Sequence, residues 1–314
     1  MNLVSIIIPM YNEVLNIDNC VNILKNQKNQ DFDVFFIDDG SKDGTIEKLQ
    51  EILTVGVFFN YQIIKQSNQG AAAARKEGIK YSSTEFIMIL DCDDKISSDT
   101  VEEIYKKHSE SPSVDIIIPD LSIQSKNGDW QDFTFYTLQE QLQPLHCIQN
   151  SFDGWYIHGF FAIRRLIINQ SYRDYELYNR NNKNYLNNDE VITRLNFKNS
   201  KEIIRSSAVY YYCYNFLSTT KRVNPNKYLM INNALILNEI FLNDEEIEPS
   251  SKAELVAVLW GVYLYMYRYK KELGNISEWE NVLRRAIKDI KYFHLVNKLS
   301  FKKKLQLTIL KLTI

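Results

Sequence analysis

The sequence predicts an α/β protein: a doubly wound, mostly parallel sheet followed by a C-terminal helical region. Three observations carry that reading. Over the first 120 residues, short continuous apolar runs alternate with stretches of helical periodicity, the pattern of parallel strands buried on both faces. Polar clusters rich in Asp and Glu close several of the apolar runs. From Asn226 onward only helical patterns are found. A chain of 314 residues with 45% hydrophobic composition suits one full-sized domain, read here as residues 1–222, and a smaller helical region, 223–314.

The elements follow in order. Strands are expected at Val4 to Ile8, Val34 to Ile37, Val57 to Ile64, Phe86 to Leu90 and Asp115 to Ile118. Between them, Leu15, Cys20, Val21 and Leu24 form one apolar stripe, and Ile46, Leu49 and Leu53 form a second behind Asp43 as N-cap. The Ala-rich "GAAAARKEGIK" is the third helix, and a fourth starts near Ser98. "SIQSKNGDWQDF" reads as a hairpin turning at Asn127-Gly128. Asp189 and Glu190 precede a helical pattern at Ile192, Leu195 and Phe197, and Val209 to Tyr214 reads as a strand. Helices are then expected at Tyr228 to Leu242, Lys252 to Glu272 and Glu278 to Phe293.

Charge and cysteine usage exclude some functions. With 37 Lys and Arg against 39 Asp and Glu, the net charge of −2 offers no general attraction to nucleic acid. Cys20, Cys92, Cys147 and Cys213 are widely spaced and read as free thiols of a reducing, cytoplasmic compartment. "MNLVSIIIPMYNE" lacks a basic region and reads as a strand rather than a leader. The longest later apolar run, Leu255 to Tyr267, is short of the roughly 20 residues that span a bilayer.

In an open α/β sheet the ligand crevice lies outside the carboxyl ends of the strands. "PMYNE" (Pro9 to Glu13), "DDGS" (Asp38 to Ser41) and "DCDD" (Asp91 to Asp94) all fall there. There is neither a GxGxxG fingerprint nor a GxxxxGK[ST] loop, so a nucleotide bound here is not cradled by glycine-rich backbone. Its phosphates then call for a divalent ion, Mg²⁺ or Mn²⁺, held by one or two carboxylates with phosphate oxygens and water. Asp91 and Asp93 have that chemistry. Taken singly, Asp38 and Asp39 also suit a turn, Tyr11 a half-buried aromatic and Arg75 a solvated cation.

"VSIIIPMYNE", "FFIDDGSKDGT", "NQGAAAARKEGIKYS" and "FIMILDCDD", in that order and spacing, resemble the N-terminal half of bacterial family 2 glycosyltransferases with the GT-A fold. The resemblance implies a nucleotide-sugar donor site in which Tyr11 stacks on the base and Asp39 hydrogen-bonds it. Pro9 and Glu13 would shape the pocket, Arg75 and Asp91 reach the nucleotide, and Asp91 and Asp93 form a DxD metal site. It also implies that Asp189 is the catalytic base, although Asn188 stands where the family has glutamate, which leaves Glu190 as a rival. Ser218, Lys221 and Arg222 would close over the diphosphate.

"DGWYIHGFFAIRR" sets aromatic rings beside hydrogen-bonding groups, which suits a sugar acceptor; Trp155 and His158 are the candidates, whereas Phe160 and Phe161 read as packing. The tail "NKLSFKKKLQLTILKLTI" has five lysines and no acids, and two readings stay open: an amphipathic helix on an anionic membrane surface, or one packed on the preceding helices. The expected activity is inverting, metal-dependent transfer from a UDP-sugar to a hydroxyl of a glycan or lipid-linked acceptor in cell-surface polysaccharide synthesis. A metal-dependent nucleotidyltransferase and a catalytically silent sugar-binding module are the alternatives. The sequence leaves the oligomeric state open.

Overall fold

The apolar run at Val4 does open the sheet, and strands and helices then alternate: β1 (Val4–Met10), α1 (Ile17–Lys25), β2 (Phe32–Asp38), α2 (Thr45–Thr54), β3 (Asn60–Lys65), α3 (Ala71–Tyr81) and β4 (Phe86–Ile89). The computed structural model describes residues 2–152, 154–180, 186–215, 223–289 and 299–314. β1 pairs in parallel with β2 and with β4, and β2 pairs in parallel with β3. Ile6, Ile7 and Ile8 are fully buried because both faces of β1 are covered, which is why the run shows no polar alternation. One face meets α3 very closely. A Cβ at Gly78 would lie 2.4 Å from Ile7 Cγ2, so this glycine in an Ala-rich helix is a packing requirement.

The chain continues through β5 (Lys95–Ile96), α4 (Thr100–Glu110), β6 (Ile116–Gln124), β7 (Trp130–Asp132), β8 (Gln141–Leu142), α5 (Pro144–Phe152), β9 (Ala162–Arg164), α6 (Arg165–Tyr178), α7 (Asn188–Asn199) and β10 (Ile203–Tyr212). The strands form one sheet in the order β3-β2-β1-β4-β9-β6-β10-β5, with β7 beside β6 and β8 beside β10. After β3 the chain crosses to the far side of β1, so the switch point of this sheet lies between β1 and β4.

Several boundaries differ from those expected. The strand expected at Val57 starts only at Asn60, and the one expected to end at Ile118 runs on to Gln124 to join the hairpin with β7. Gly44, not Asp43, precedes α2, although Asp43 Oδ1 still accepts from Thr45 N at 3.0 Å. α5, α6 and the three-residue β9 are additions to the expected plan. β9 runs antiparallel to both β4 and β6.

The chain divides into two compact units. The first comprises Met1–Cys147, Tyr156–Arg173 and Ile192–Asn215, and the second Ile148–Trp155, Asp174–Val191 and Phe216–Ile314. Within the second, α8 (Met230–Ile240), α9 (Glu248–Arg268), α10 (Ile276–Asp289) and α11 (Phe301–Thr313) enclose a core of Ile231, Leu255, Leu259, Trp279, Leu283, Leu307 and Leu310. Trp279 is fully buried and its indole N–H bonds Pro225 O at 3.1 Å. The lysine-rich tail is therefore packed through Leu307 and Leu310, while Phe301, Leu305 and Leu312 on the same helix remain exposed. No helix among the described residues is long and apolar enough to cross a membrane.

Candidate active site

The loops after β1 and β2 are tied into one surface. Asn12 adopts a left-handed φ of 58°, which lets its N–H reach Ser41 Oγ at 2.9 Å while its Oδ1 accepts from Lys42 N at 2.8 Å. Glu13 N donates to Thr45 Oγ1 at 2.8 Å and Val14 N to Asp43 Oδ2 at 3.1 Å. Tyr11 is held on this frame with 47% of its surface exposed, and Pro9 lies one residue before the end of β1.

Asp39 is buried and accepts three bonds, from Gln66 Nε2 at 2.7 Å, Gln69 N at 2.8 Å and Gly70 N at 2.7 Å. It thereby fixes the turn into α3, where Gly70 has a φ of 88° and the helix leaves its first N–H groups without intrahelical partners. A carboxylate has about four lone-pair positions, so one remains for a ligand donor.

In the acid loop after β4, burial alternates. Cys92 and Asp94 turn inward; Asp91 and Asp93 turn outward, half-buried. Arg75 Nη2, one turn into α3, reaches Asp91 Oδ1 at 3.0 Å and Oδ2 at 3.2 Å. Asn215 Nδ2 donates to Asp93 Oδ2 at 2.7 Å. Asp94 accepts from Tyr210 Oη and from Cys213 N, each at 2.8 Å, and so fastens the loop to the end of β10. Burial, with the charge of Asp91 next in weight, pushes the Asp94 carboxyl up to about 8 against those two hydrogen bonds. Burial likewise raises Glu13 to about 7 against a hydrogen bond from Asn16, and Asp93, Asp91 and Asp43 push the same way.

Among the described residues, no three His, Cys, Asp or Glu side chains converge to hold a metal ion together. The outward pair Asp91 and Asp93 nonetheless fits a Mg²⁺ or Mn²⁺ ion, which takes one or two carboxylates and completes its shell with phosphate oxygens and water.

The other candidates are placed less uniformly. His158 is buried, with Nε2 2.9 Å from Pro119 O and Nδ1 accepting from Phe160 N at 3.3 Å, so both ring nitrogens are committed. Burial lowers it to about 3, a neutral imidazole within a ring of Phe133, Phe135 and Phe160. Trp155 has a φ of 56° and belongs to the second unit. Asp189 is exposed in the first turn of α7, and Glu190 Oε1 accepts from Asn187 Nδ2 at 2.9 Å. Ser218, Lys221 and Arg222 lie outside the described residues. Sequence reasoning missed Asn215, Tyr210 and Gln66, which act across 122, 116 and 27 positions of chain. The Gln69-Gly70 pair did carry a signal, as the glycine that opens the Ala-rich helix.

Residues 5–176 match the family model described as glycosyl transferase family 2. Over 158 residues the chain is 27% identical to a Bacillus subtilis protein named putative glycosyltransferase EpsH, a match that takes in 50% of this chain and 44% of that protein. Over 107 residues it is 36% identical to an uncharacterized glycosyltransferase of Haemophilus influenzae, covering 33% of this chain and 41% of the relative. The matches thus span less than half of either relative. The crystal structure of S. aureus TarS 1-349 in complex with UDP-GlcNAc superposes with a TM-score of 0.68 at 19% identity, covering 99% of this chain and 88% of that one. That likeness speaks for the fold, a GT-A-like sheet with a C-terminal helical region.

Proposed function

The chain belongs to glycosyl transferase family 2, and from that premise we propose that it transfers a sugar from a nucleotide-sugar donor, a UDP-sugar in the simplest case, to a hydroxyl of a glycan or lipid-linked acceptor in cell-surface polysaccharide synthesis. The observation that carries the proposal is the placing of two outward carboxylates, Asp91 and Asp93, beside the switch point and next to the tied loops of Tyr11 and Asp39. We assign the chemistry to residues 1–222 and a supporting role to 223–314.

In this reading the base and ribose lie against Tyr11, Pro9 and Glu13, with Asp39 offering its remaining lone pair. Asp91 and Asp93 would hold Mg²⁺ or Mn²⁺, which supplies charge neutralisation for the departing diphosphate. Arg75, now on Asp91, is placed to hold that carboxylate in line or to turn to the nucleotide. Asp189 takes the proton from the acceptor hydroxyl as it attacks the anomeric carbon from the face opposite the diphosphate, giving inversion. Asp189 is favoured over Glu190 because Glu190 is engaged by Asn187 at the start of α7, while Asp189 is exposed. The reaction would run in the cytoplasm, with the exposed face of α11 holding the enzyme near an anionic membrane.

The test is a panel of nucleotide sugars with product analysis. Release of a nucleoside diphosphate, abolished by EDTA and restored by Mn²⁺ or Mg²⁺, is the expected result. Release of pyrophosphate would reassign the chain to nucleotidyl transfer, and undiminished turnover in EDTA would remove the metal.

A further inference from the structure

β10 carries a column of aromatic rings that leads from the acid loop to the surface. Tyr210 and Tyr212 lie two residues apart and so face the same side of the strand. Tyr210 is fully buried, its hydroxyl on Asp94. Phe160 stacks on it with ring centroids 4.3 Å apart and planes 15° apart, and continues to Tyr212 at 5.8 Å and 33°. His158 supports Phe160 from behind at 5.9 Å and accepts its backbone N–H. Of the three rings Tyr210, Phe160 and Tyr212, the last is the outermost, with 42% of its surface exposed.

The residues that follow Tyr212 are those that hold the acid loop. Cys213 N bonds Asp94 and Asn215 bonds Asp93. Lys95 and Ile96, which leave the acid loop, pair with Tyr211 and Tyr210. The strand order also separates the two sides of β4: β1, β2 and β3 lie on one, with the loops of Tyr11 and Asp39, and β9, β6 and β10 on the other. Tyr212 and Phe160 therefore flank the acid loop on the side away from the nucleotide.

We propose that Tyr212, backed by Phe160, is the stacking platform for the acceptor sugar, taking the apolar C–H face of a pyranose and leaving its hydroxyl edge toward the acid loop. An aromatic ring with a rigid backing suits that task because the sugar face buries apolar area without the ring losing rotamer freedom on binding. His158 then acts beneath the platform, as the support of Phe160 rather than as a ligand. The inference rests on the glycosyl-transfer reading.

The experiment separates the two. The full chain is assayed for release of UDP from UDP-sugars, alone and with p-nitrophenyl β-glucoside, β-galactoside or β-N-acetylglucosaminide. Tyr212→Ala is expected to raise the KM for the accepted glycoside about tenfold. Donor hydrolysis without glycoside should stay within about twofold, and Tyr212→Phe and Tyr212→Trp should restore the KM. In saturation-transfer NMR with UDP present, ring C–H signals of the glycoside should be strong for the natural chain and for Tyr212→Phe and weak for Tyr212→Ala. An unchanged KM in Tyr212→Ala, or no ring-proton signal from any of the three glycosides in a chain that hydrolyses its donor, overturns the platform while leaving glycosyl transfer intact. Absence of turnover with every nucleotide sugar overturns both.

Discussion

Two strand ends of this sheet carry adjacent carboxylates, and they are used in opposite ways. After β2, Asp39 accepts three protein donors, and Asp38 accepts Ser41 N at 3.1 Å. That charge is matched inside the fold, and its work is to fix the turn into α3. After β4, Asp91 has Arg75, Asp93 has Asn215 and Asp94 has Tyr210 and Cys213 N, yet burial with mutual repulsion still raises both Asp94 and the nearby Glu13. The loop after β4 holds negative charge that a bound cation would relieve. The same sequence signature, acids at the end of a buried strand, thus separates by exposure rather than by the number of donors: Asp38 and Asp39 are buried, whereas Asp91 and Asp93 stay half-buried and outward.

The largest effect should come from the loop after β4. Asp93→Ala is expected to lower transfer by about a thousandfold or more, the equivalent of losing several kcal/mol of charge stabilisation, while the melting temperature holds or rises because repulsion is removed. A variant that loses stability and keeps its activity would reverse the comparison. Next in size is the proposed base. Asp189→Asn should lower kcat by about 10²- to 10⁴-fold with UDP affinity retained, and Glu190→Gln should do much less; the opposite ranking moves the role to Glu190.

Asp39→Ala tests the scaffold side. It leaves Gln69 N and Gly70 N without their acceptor, at about 1–3 kcal/mol for each donor that stays buried, so thermal unfolding should move down by several degrees. Equal melting temperatures for Asp39→Ala and Asp93→Ala would erase the distinction between the two loops.

A pH series sharpens it further. Glu13 and Asp94 have folded-state values of about 7 and about 8, above the ordinary carboxylate range. For carboxyls raised in this way, stability is fully present below the unfolded value near 4 and is lost as pH rises through the folded values. The metal-free protein should therefore melt at lower temperature at pH 8.5 than at pH 5.5, and Glu13→Gln should flatten part of that slope. Mn²⁺ added at pH 8.5 should recover some of the loss. A flat profile in differential scanning calorimetry would show that the acid loop is already compensated.

The scaffold loops were largely legible in the sequence, because their strands are unbroken apolar runs and their acids lie beside Gly40 or ahead of Gly70. The rest depended on pairing across the chain. β9 is three residues long, so Ala162–Arg164 has no periodicity of its own and exists because β4 and β6 leave a gap for it. Phe160 reads as packing until Tyr210 and Tyr212 arrive from β10, and His158 reads as a ligand until Pro119 O takes its Nε2. Asn215 has no motif around it, and only the fold brings it to Asp93.

The smallest expected effect concerns a third charged segment, the C-terminal helix, whose lysines set it apart from both acidic loops. Its packed face is settled by Leu307 and Leu310, fully buried, so Leu307→Ala should destabilise the chain by about 2–5 kcal/mol. Its outer face exposes Phe301, Leu305 and Leu312 beside Lys302 and Lys311. Lysines near an anionic surface contribute about 1 kcal/mol each, so these two give about 2 kcal/mol, to which insertion of the apolar stripe adds. Binding of that size is weak and reversible. The protein should co-sediment with phosphatidylglycerol vesicles at low ionic strength, leave them in high salt, and lose the interaction in a Phe301→Ser, Leu312→Ser double variant whose melting temperature is unchanged, because neither side chain belongs to the core. If the double variant sediments with vesicles as the natural chain does, the outer apolar stripe has no part in membrane binding; if neither sediments with them, the helix serves the fold through Leu307 and Leu310 alone.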